Sequence, residues 1–207
     1  MNHSHGFFIE AGAYDGIQTS HSLMFEQHMC WKGLLMEPSE RFFGGAFKHG
    51  GSGGGPASRP HSRFVHGAVV DSAHNGMELL AGIDNEPTNS VPAEENAQAM
   101  IGAVKPGAKK VVGYSIAHLL RELGVGWRGV DFFSLDIESW EMQALNGLEE
   151  FRPTLMAIEV WDFNGATPNN REAVFQKMAD LGYSRIGEEI DSGIFSDVFW
   201  QYTGSDA

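Results

Sequence analysis

The chain has 207 residues, 42% of them hydrophobic and 11% aromatic, which is enough for one full hydrophobic core. Its 14 Lys and Arg against 27 Asp and Glu give a net charge of −13, so the positive surface that a nucleic-acid backbone requires is missing and we expect no nucleic-acid partner. The single cysteine, Cys30, excludes an internal disulfide and a cysteine-rich zinc site, and we expect it to be a small buried hydrophobic residue.

No stretch of the sequence is apolar over the roughly 18 residues that a membrane helix needs, so we expect no membrane association. Residues 1–6 are polar and contain neither the apolar segment nor the cleavage site of a signal peptide. These features predict one cytoplasmic domain over residues 1–207, with residues 1–6 as a tail. They do not indicate an oligomeric state.

Apolar runs of strand length alternate with segments of helical period, which is the pattern of an α/β domain with a mainly parallel sheet. The first predicted strand covers residues 7–9. A helix is predicted from Thr19 or Ser20, either of which could cap it, to Cys30. Residues 34–36 form the second strand, and a further helix is predicted over residues 39–48.

The middle of the chain has weaker patterns. Residues 49–61 contain a glycine-rich run that lacks the Gly-Lys-Ser/Thr ending of a phosphate-binding loop, so a flexible loop is predicted there. Residues 63–70 form the third predicted strand. Residues 84–110 are predicted to be an irregular acidic excursion on the surface, with a mobile lid over a pocket as the alternative.

The second half of the chain again alternates between helices and strands. Ser115 is a predicted N-cap, because apolar residues follow it at the helical spacing i, i+3, i+4 and i+7. The last two aromatic-rich runs are expected to form an antiparallel hairpin at the sheet edge. In order, the predicted elements are a helix from residue 115, a strand at 131–136, a helix carrying Trp140, Ala144, Leu145 and Leu148 on one face, a strand at 154–160, a helix from residue 168, and the runs 183–190 and 196–202.

Acidic residues stand at the ends of three predicted strands. Glu10 ends the first strand, Glu37 the second, and Asp136 with Glu138 the fourth. In an open α/β sheet, ligands bind beyond the carboxyl ends of the strands, close to the point where the strand order reverses. A carboxylate at the end of the second strand can accept hydrogen bonds from both hydroxyls of a ribose. The sequence therefore predicts a nucleoside site at this edge of the sheet.

The charges favour a ligand that is neutral or cationic around its nucleoside. No lysine lies near these strand ends, which disfavours a phosphate-rich ligand. Gly12 and Gly16 allow the backbone to approach a ligand closely, but their spacing differs from the Gly-x-Gly-x-x-Gly pattern of dinucleotide sites, and Asp15 between them would repel an anion. S-adenosylmethionine, with a sulfonium, an ammonium and a ribose diol, fits these features.

The segments 8–16, 20–26 and 31–38 resemble the opening of FkbM-type S-adenosylmethionine-dependent methyltransferases. Residues 130–141, followed by a strand that ends in Ile158, Glu159 and Val160, resemble the second motif of this family. The likeness extends from about Phe7 to Tyr202 and is poor between residues 50 and 110. Two separate motifs in the right order make the resemblance specific.

The resemblance implies a class I methyltransferase: an α/β, Rossmann-like, doubly wound sheet that transfers a methyl group from S-adenosylmethionine, often to a hydroxyl of a small molecule or sugar. The turn after the first strand would hold the cofactor, the acid after the second strand its ribose, the end of the third strand its adenine, and the fourth strand its methionine end. The cofactor-binding residues would be Glu10, Gly12, Ala13, Asp15, Gly16, Ser20, Glu37, Pro38, Ala68, Val69 and Asp136.

Asp136 and Glu138 are the candidate catalytic residues, because either could act as the general base for a substrate hydroxyl. They could instead cap the following helix, or hold a divalent metal together with Glu159; we predict no metal site. His21 and His66 lie close to predicted strand ends, and each is an alternative base because imidazole titrates near neutral pH.

One departure from the family pattern concerns the acceptor side of the site. The family usually has Gly-Ala between the acids of its second motif, whereas this chain has Ser139 and Trp140. A large indole there predicts a reshaped acceptor pocket. It also leaves open a catalytically inactive interaction module in which Trp140 fills the acceptor space, and a nicotinamide-dependent oxidoreductase is a third alternative.

Overall fold

The computed structural model describes residues 5–39, 59–81, 91–92, 109–137, 140–161, 171–191 and 195–204. In this part of the chain the helices are α1 (Leu23–Met29), α2 (Ile116–Glu122), α3 (Glu141–Asn146) and α4 (Arg171–Asp180), with a short 3-10 turn at Ser72–His74. The strands are β1 (Phe7–Ala11), β2 (Lys32–Glu37), β3 (Ser62–His66), β4 (Ala68–Val70), β5 (Glu78–Ala81), β6 (Val91–Pro92), β7 (Lys109–Ser115), β8 (Phe132–Leu135), β9 (Leu155–Trp161), β10 (Tyr183–Arg185), β11 (Ile190–Asp191) and β12 (Phe195–Tyr202).

The main sheet has eight strands in the order β10-β12-β9-β8-β1-β2-β3, with β11 paired to β12. The pairs between β1, β2, β3, β8 and β9 are parallel, and β12 is antiparallel to both β9 and β10. The predicted class I methyltransferase sheet, mostly parallel with antiparallel C-terminal strands, is confirmed. Strand order reverses between β1 and β8, since β2 and β3 extend the sheet on one side of β1 and β8 and β9 on the other.

The central strands are apolar because both of their faces are covered. Ile9 on β1, Phe133 on β8 and Ile158 on β9 have no exposed surface. Ser115 caps α2 as predicted: its hydroxyl accepts a hydrogen bond from the backbone N–H of His118 at 3.3 Å. These contacts fix the strand ends on which the site is built.

Helix α1 begins later than predicted, at Leu23 rather than at residue 19 or 20. Thr19 has a φ of +56°, which is outside the right-handed helical region. The Ser20 hydroxyl and the His21 N–H donate to the Glu10 carboxylate. Residues 19–22 therefore form a loop around Glu10 instead of a first helical turn.

Cys30 is exposed, so the expectation of a buried cysteine is wrong. It follows the last residue of α1 with a φ of +55°, in the left-handed conformation that ends many helices, and the N–H of the next residue, Trp31, donates to the Phe25 carbonyl at 3.2 Å. This position at the end of the helix leaves its side chain in solvent.

The predicted third strand over residues 63–70 is two strands in two sheets. β3 pairs with β2 in the main sheet, whereas β4 pairs with β7 in a second sheet of order β4-β7-β5-β6. Gly67 separates them: a side chain there would lie 2.5 Å from the ring of Tyr114, so the chain can cross between the sheets only with glycine at this point. The sequence did not predict the second sheet.

Several predicted features lie outside the described residues. They are the helix at residues 39–48 beyond Ser39, the glycine-rich run before Arg59, most of residues 84–110, and the residues Glu138 and Ser139 of the second motif. Within the stretch 84–110, β6 and the start of β7 are strands. The division of the chain into one domain with two loops stays a prediction.

Candidate functional site

A cavity of about 560 Å³ opens at the carboxyl ends of β1 and β8, where the strand order reverses. This is the position at which open α/β sheets bind ligands, and the volume is in the range typical of small-molecule sites. Its described lining contains four carboxylates and one imidazole but no lysine or arginine. The lining residues are Glu10, Ala11, Gly12, Ile17, Thr19, Ser20, His21, Ser134, Asp136, Glu159, Ile190 and Asp197.

Gly12 lets the turn after β1 lie directly against the end of β8. Its φ is +81°, and a Cβ on it would lie 1.7 Å from the backbone oxygen of Asp136. The N–H groups of Gly12 and Ala13 both donate to the Met36 carbonyl, at 3.0 and 2.9 Å. The turn is therefore held between β8 and β2, and only glycine fits at residue 12.

Asp15 and Gly16 shape the rest of this turn. The Asp15 carboxylate accepts hydrogen bonds from the backbone N–H groups of Ile17 and Gln18, at 2.9 and 2.8 Å, and thereby stabilises a tight turn. Gly16 has a φ of +77° and lies against the ring of Phe64. Both residues are at the predicted cofactor turn, and the contacts described here are internal to it.

Glu10 ends β1 and is 4% exposed. Its carboxylate accepts hydrogen bonds from the hydroxyls of Ser20 and Ser22 and, at 3.1 Å, from the N–H of His21. The Arg59 guanidinium lies 4.0 Å from the same carboxylate. Glu10 therefore both lines the cavity and holds the loop that forms its wall.

Glu37 ends β2 and is 7% exposed. One carboxylate oxygen accepts from the N–H of Tyr14 at 2.9 Å, and the other accepts from the N–H of Ser39 at 2.7 Å. The carboxylate thus points to the turn after β1 and not to bulk water. Its predicted contact with a ribose stays a prediction, because Glu37 is not among the described residues that line the cavity.

The remaining cofactor candidates, Pro38, Ala68 and Val69, follow β2 or lie on β4. Ala68 and Val69, on β4, are buried, and Val69 packs in the main core. Pro38 is half-buried, and its carbonyl oxygen is 3.1 Å from Nε2 of His66. None of these four residues is part of the described cavity lining, so the adenine contact and the use of His66 as a base stay predictions.

Asp136 lies just beyond β8, and its backbone N–H donates to the Ala11 carbonyl at 3.1 Å. Burial raises the pKa of its carboxyl; a hydrogen bond with Glu159 and the nearby His21 lower it, whereas Asp197 and Glu10 raise it. Burial also raises the pKa of Asp197, and His21 lowers it. Burial thus disfavours the negative charge of Asp136 and Asp197, and a bound cation would stabilise it.

His21 stands among these acids. Its Nδ1 is 2.9 Å from the hydroxyl oxygen of Ser134, and its Nε2 is 3.8 Å from the Asp197 carboxylate. Ser134 lies on β8 in register with Glu10 on β1, and Asp197 lies on β12 in register with Glu159 on β9. The sheet therefore collects these groups from four strands.

The structure brings together Glu10, Gly12, Ser20 and Asp136 from the predicted set, with His21 from the alternatives. Sequence reasoning missed Ser134 and Asp197 and assigned Glu159 only to a metal site. The available signal was Asp197 itself, a charged residue inside the apolar run of β12. Glu138 lies outside the described residues, and its catalytic role stays a prediction.

Two further expectations concern a metal and Trp140. Among the described residues, no group of three or more His, Cys, Asp or Glu side chains is arranged to hold a metal ion. Trp140 precedes α3, is 7% exposed and belongs to the buried apolar residues. It is not part of the described cavity lining, so nothing in that lining shows an indole filling the acceptor space.

The strand order, together with a cavity at the point where it reverses, defines a class I methyltransferase fold. The sequence model of the Methyltransferase FkbM domain matches residues 10–185. The chain therefore belongs to the FkbM methyltransferase family. This confirms the resemblance on which the residue assignments were based.

Solved structures agree with the fold. The methyltransferase FkbM from Methylobacillus flagellatus KT is 12% identical, with a TM-score of 0.51 over 96% of this chain and 44% of that one. The METTL16 MTase domain is 9% identical, with a TM-score of 0.52 over 99% of this chain and 63% of that one. This chain spans less than two thirds of either structure, and the likeness shows the fold alone. No curated protein shows significant similarity to the chain.

No helix in the described part of the chain combines the length and the apolar character that crossing a bilayer requires.

Proposed function

We propose that the chain binds S-adenosylmethionine in the cavity at β1 and β8 and transfers its methyl group to a hydroxyl of a small molecule or sugar. The observation that carries the proposal is the acidic lining at the switch point of a methyltransferase sheet. When bound, the cofactor supplies a methyl group activated by a sulfonium. Asp136, with a pKa raised by burial, is suited to receive such a cation.

In the proposed transfer, the acceptor oxygen forms a bond to the methyl carbon. The bond from that carbon to sulfur breaks with its electron pair left on sulfur, and the hydroxyl proton goes to a base on the protein. The chain contributes mainly by aligning the two partners and keeping water away. The turn held by Gly12 and Ala13 and the loop held by Glu10 supply the fixed wall that alignment requires.

Isothermal titration calorimetry with S-adenosylmethionine and S-adenosylhomocysteine tests the binding step. We expect micromolar affinities for both ligands. Glu37→Ala should weaken both by about tenfold or more, because a hydrogen bond to a charged group contributes about 1.5–3 kcal/mol. Since Glu37 also holds the N–H groups of Tyr14 and Ser39, thermal unfolding of the variant must be measured alongside.

Asp136→Asn is the sharper variant, because it changes charge with little change of shape. It should weaken S-adenosylmethionine more than S-adenosylhomocysteine, which lacks the positive sulfur. Glu122→Gln, at the exposed end of α2, removes one charge elsewhere and is the matched control. Absence of heat with both ligands would contradict cofactor binding, and an equal loss for both would contradict the electrostatic fit.

Turnover separates the enzyme from an inactive interaction module with the same fold. Release of S-adenosylhomocysteine is measured with a panel of phenols and monosaccharides, for the wild type and for Trp140→Ala. Release with a hydroxyl compound supports the proposed transfer. Cofactor binding without release in the wild type, together with release by Trp140→Ala, would support the inactive module instead.

A further inference from the structure

The imidazole of His21 is held between a hydroxyl and a carboxylate on the cavity wall. Nδ1 is 2.9 Å from the Ser134 hydroxyl oxygen, and Nε2 is 3.8 Å from the Asp197 carboxylate. The ring lines the cavity and is 35% exposed, whereas Ser134 is only 3% exposed. One side of the ring is therefore fixed to buried structure while the ring remains reachable from the cavity.

The backbone of His21 is fixed as well. Its N–H donates to the Glu10 carboxylate at 3.1 Å, and the hydroxyls of the residues on either side, Ser20 and Ser22, donate to the same carboxylate. Arg59 lies beneath the loop and donates to both serine hydroxyls, at 3.0 and 2.7 Å. These hydrogen bonds hold the backbone of residues 20–22 in place, and they thereby fix the point from which the imidazole of His21 extends into the cavity.

The two ring nitrogens have different surroundings. With the proton on Nδ1, the ring donates to Ser134 and the lone pair of Nε2 stays available. After Nε2 takes a proton, the positive ring lies beside Asp197, and Asp136, Glu159 and Glu10 line the same cavity. The carboxylates therefore face the positive charge that a base acquires when it takes a proton.

We propose that His21 is the base that takes the proton of the acceptor hydroxyl at Nε2, with Ser134 orienting the ring and Asp197 stabilising the imidazolium. This rests on the proposed methyl transfer to a hydroxyl. As the acceptor oxygen bonds to the methyl carbon, its O–H bond breaks, the proton bonds to Nε2, and the imidazolium later releases that proton to water. Atoms and charge balance without a further reactant.

His21 is better placed for this role than Asp136. The Asp136 carboxylate already shares a hydrogen bond with Glu159, and it lies at the β1 and β8 crevice, where the sulfonium is expected. An Asp136 that balances the positive charge of the donor is not free to accept the acceptor proton. The structure thus separates a carboxylate for the donor from an imidazole for the acceptor.

The first test reads the tautomer of His21 directly and needs no acceptor. Nitrogen NMR on the ¹⁵N-histidine-labelled chain, with the His21 signals assigned by their loss in His21→Asn, is recorded above neutral pH with and without S-adenosylhomocysteine. We expect a proton on Nδ1 and none on Nε2. Ser134→Ala should reduce the Nδ1-protonated form, because the hydrogen-bond partner of Nδ1 is removed. A proton found mainly on Nε2 in the wild type would overturn the proposal.

The second test reads the reaction with whichever phenol or monosaccharide of the panel supports turnover. His21→Asn should lower kcat about 10²-fold or more, leave the affinity for S-adenosylhomocysteine within about twofold, and remove the fall in rate on the acidic side of the pH profile. His28→Asn, an exposed histidine of α1, is the matched control and should leave kcat and the profile unchanged.

The outcomes distinguish this inference from the proposed function. If the wild type binds neither S-adenosylmethionine nor S-adenosylhomocysteine, the proposed function fails. If the wild type binds and turns over while His21→Asn keeps its rate and its pH profile, methyl transfer stands and the role of His21 is refuted. If no panel compound turns over, the tautomer measurement alone supports or overturns the inference.

Discussion

Two carboxylates, the buried Glu26 and the half-buried Asp136, have different surroundings. Glu26, on α1, is 3% exposed and accepts from Nε of Arg59 at 2.6 Å, from the N–H of His61 at 2.7 Å and from the Ser62 hydroxyl. Asp136 faces the cavity, and of the groups that shift its pKa only His21 can carry positive charge.

The difference indicates that Glu26 stabilises the fold, whereas Asp136 is positioned to bind a ligand. A buried charge is tolerated when a partner and hydrogen bonds replace the lost water, which is the case for Glu26. At Asp136 like charges are gathered and the pKa is raised by burial, which costs stability. Such positions are typical of functional sites, where stability and activity are in conflict.

Arg59→Met removes the ion pair of Glu26 and should have the largest effect on the free energy of unfolding. Arg59 is 1% exposed, and its loss leaves Glu26 as a buried charge without its cation. Removal of one partner of a buried ion pair costs about 3–5 kcal/mol. We expect the free energy of unfolding, measured by urea denaturation, to fall by about that amount.

Arg63→Met, an exposed arginine on β3, is the control and should change the free energy of unfolding by less than about 0.5 kcal/mol. The double variant Arg59→Met with Glu26→Leu should be more stable than Arg59→Met alone, because no uncompensated charge is then buried. If Arg59→Met is no less stable than Arg63→Met, the ion pair does not hold the loop.

Replacing each acid by its amide gives changes of opposite sign. Glu26→Gln should lower the free energy of unfolding by about 1–3 kcal/mol, because Arg59 loses its charged partner. Asp136→Asn should raise it by about 0.5–2 kcal/mol, as removal of an unfavourable functional charge commonly does. Urea denaturation at pH 7 measures both, and a loss of stability in Asp136→Asn would show that Asp136 serves the fold.

The parallel half of the fold could be predicted because its strands are apolar on both faces. β1, β2, β8 and β9 are short apolar runs, and acids at their ends mark the carboxyl edge. Glu10, Gly12 and Asp136 were expected at the site from that placement as well as from the family resemblance. A site residue can be predicted from the local sequence when its place in the site depends only on where its own strand ends.

Non-local pairing limited the prediction elsewhere. The second sheet joins β4, only three residues long, to β7, about 40 residues later, and no local pattern announces that pairing. Arg59 follows a glycine-rich run that indicated a linker, yet it binds Glu26 from 33 residues away. Asp197 reaches the site because the antiparallel pairing places the start of β12 beside the last part of β9, where Asp197 lies opposite Glu159.

The pH dependence of stability gives the smallest and most specific test of the comparison. Burial raises the pKa values of Asp136 and Asp197, so in the native state both bind protons over a pH range in which the unfolded chain has lost them. Stability falls as pH rises wherever the native state binds more protons, so these two acids lower the free energy of unfolding from about pH 4 upward.

Asp136→Asn removes one of these ionisations, and its stability advantage over the wild type should therefore be small near pH 4 and grow until the native Asp136 is fully ionised. Urea denaturation followed by tryptophan fluorescence at intervals between pH 4 and pH 7 measures that difference, with Glu122→Gln as the exposed control. An advantage that is constant across the range would assign the gain to packing, because a change in packing does not titrate. An advantage that grows with pH would assign the gain in stability to the loss of the Asp136 charge.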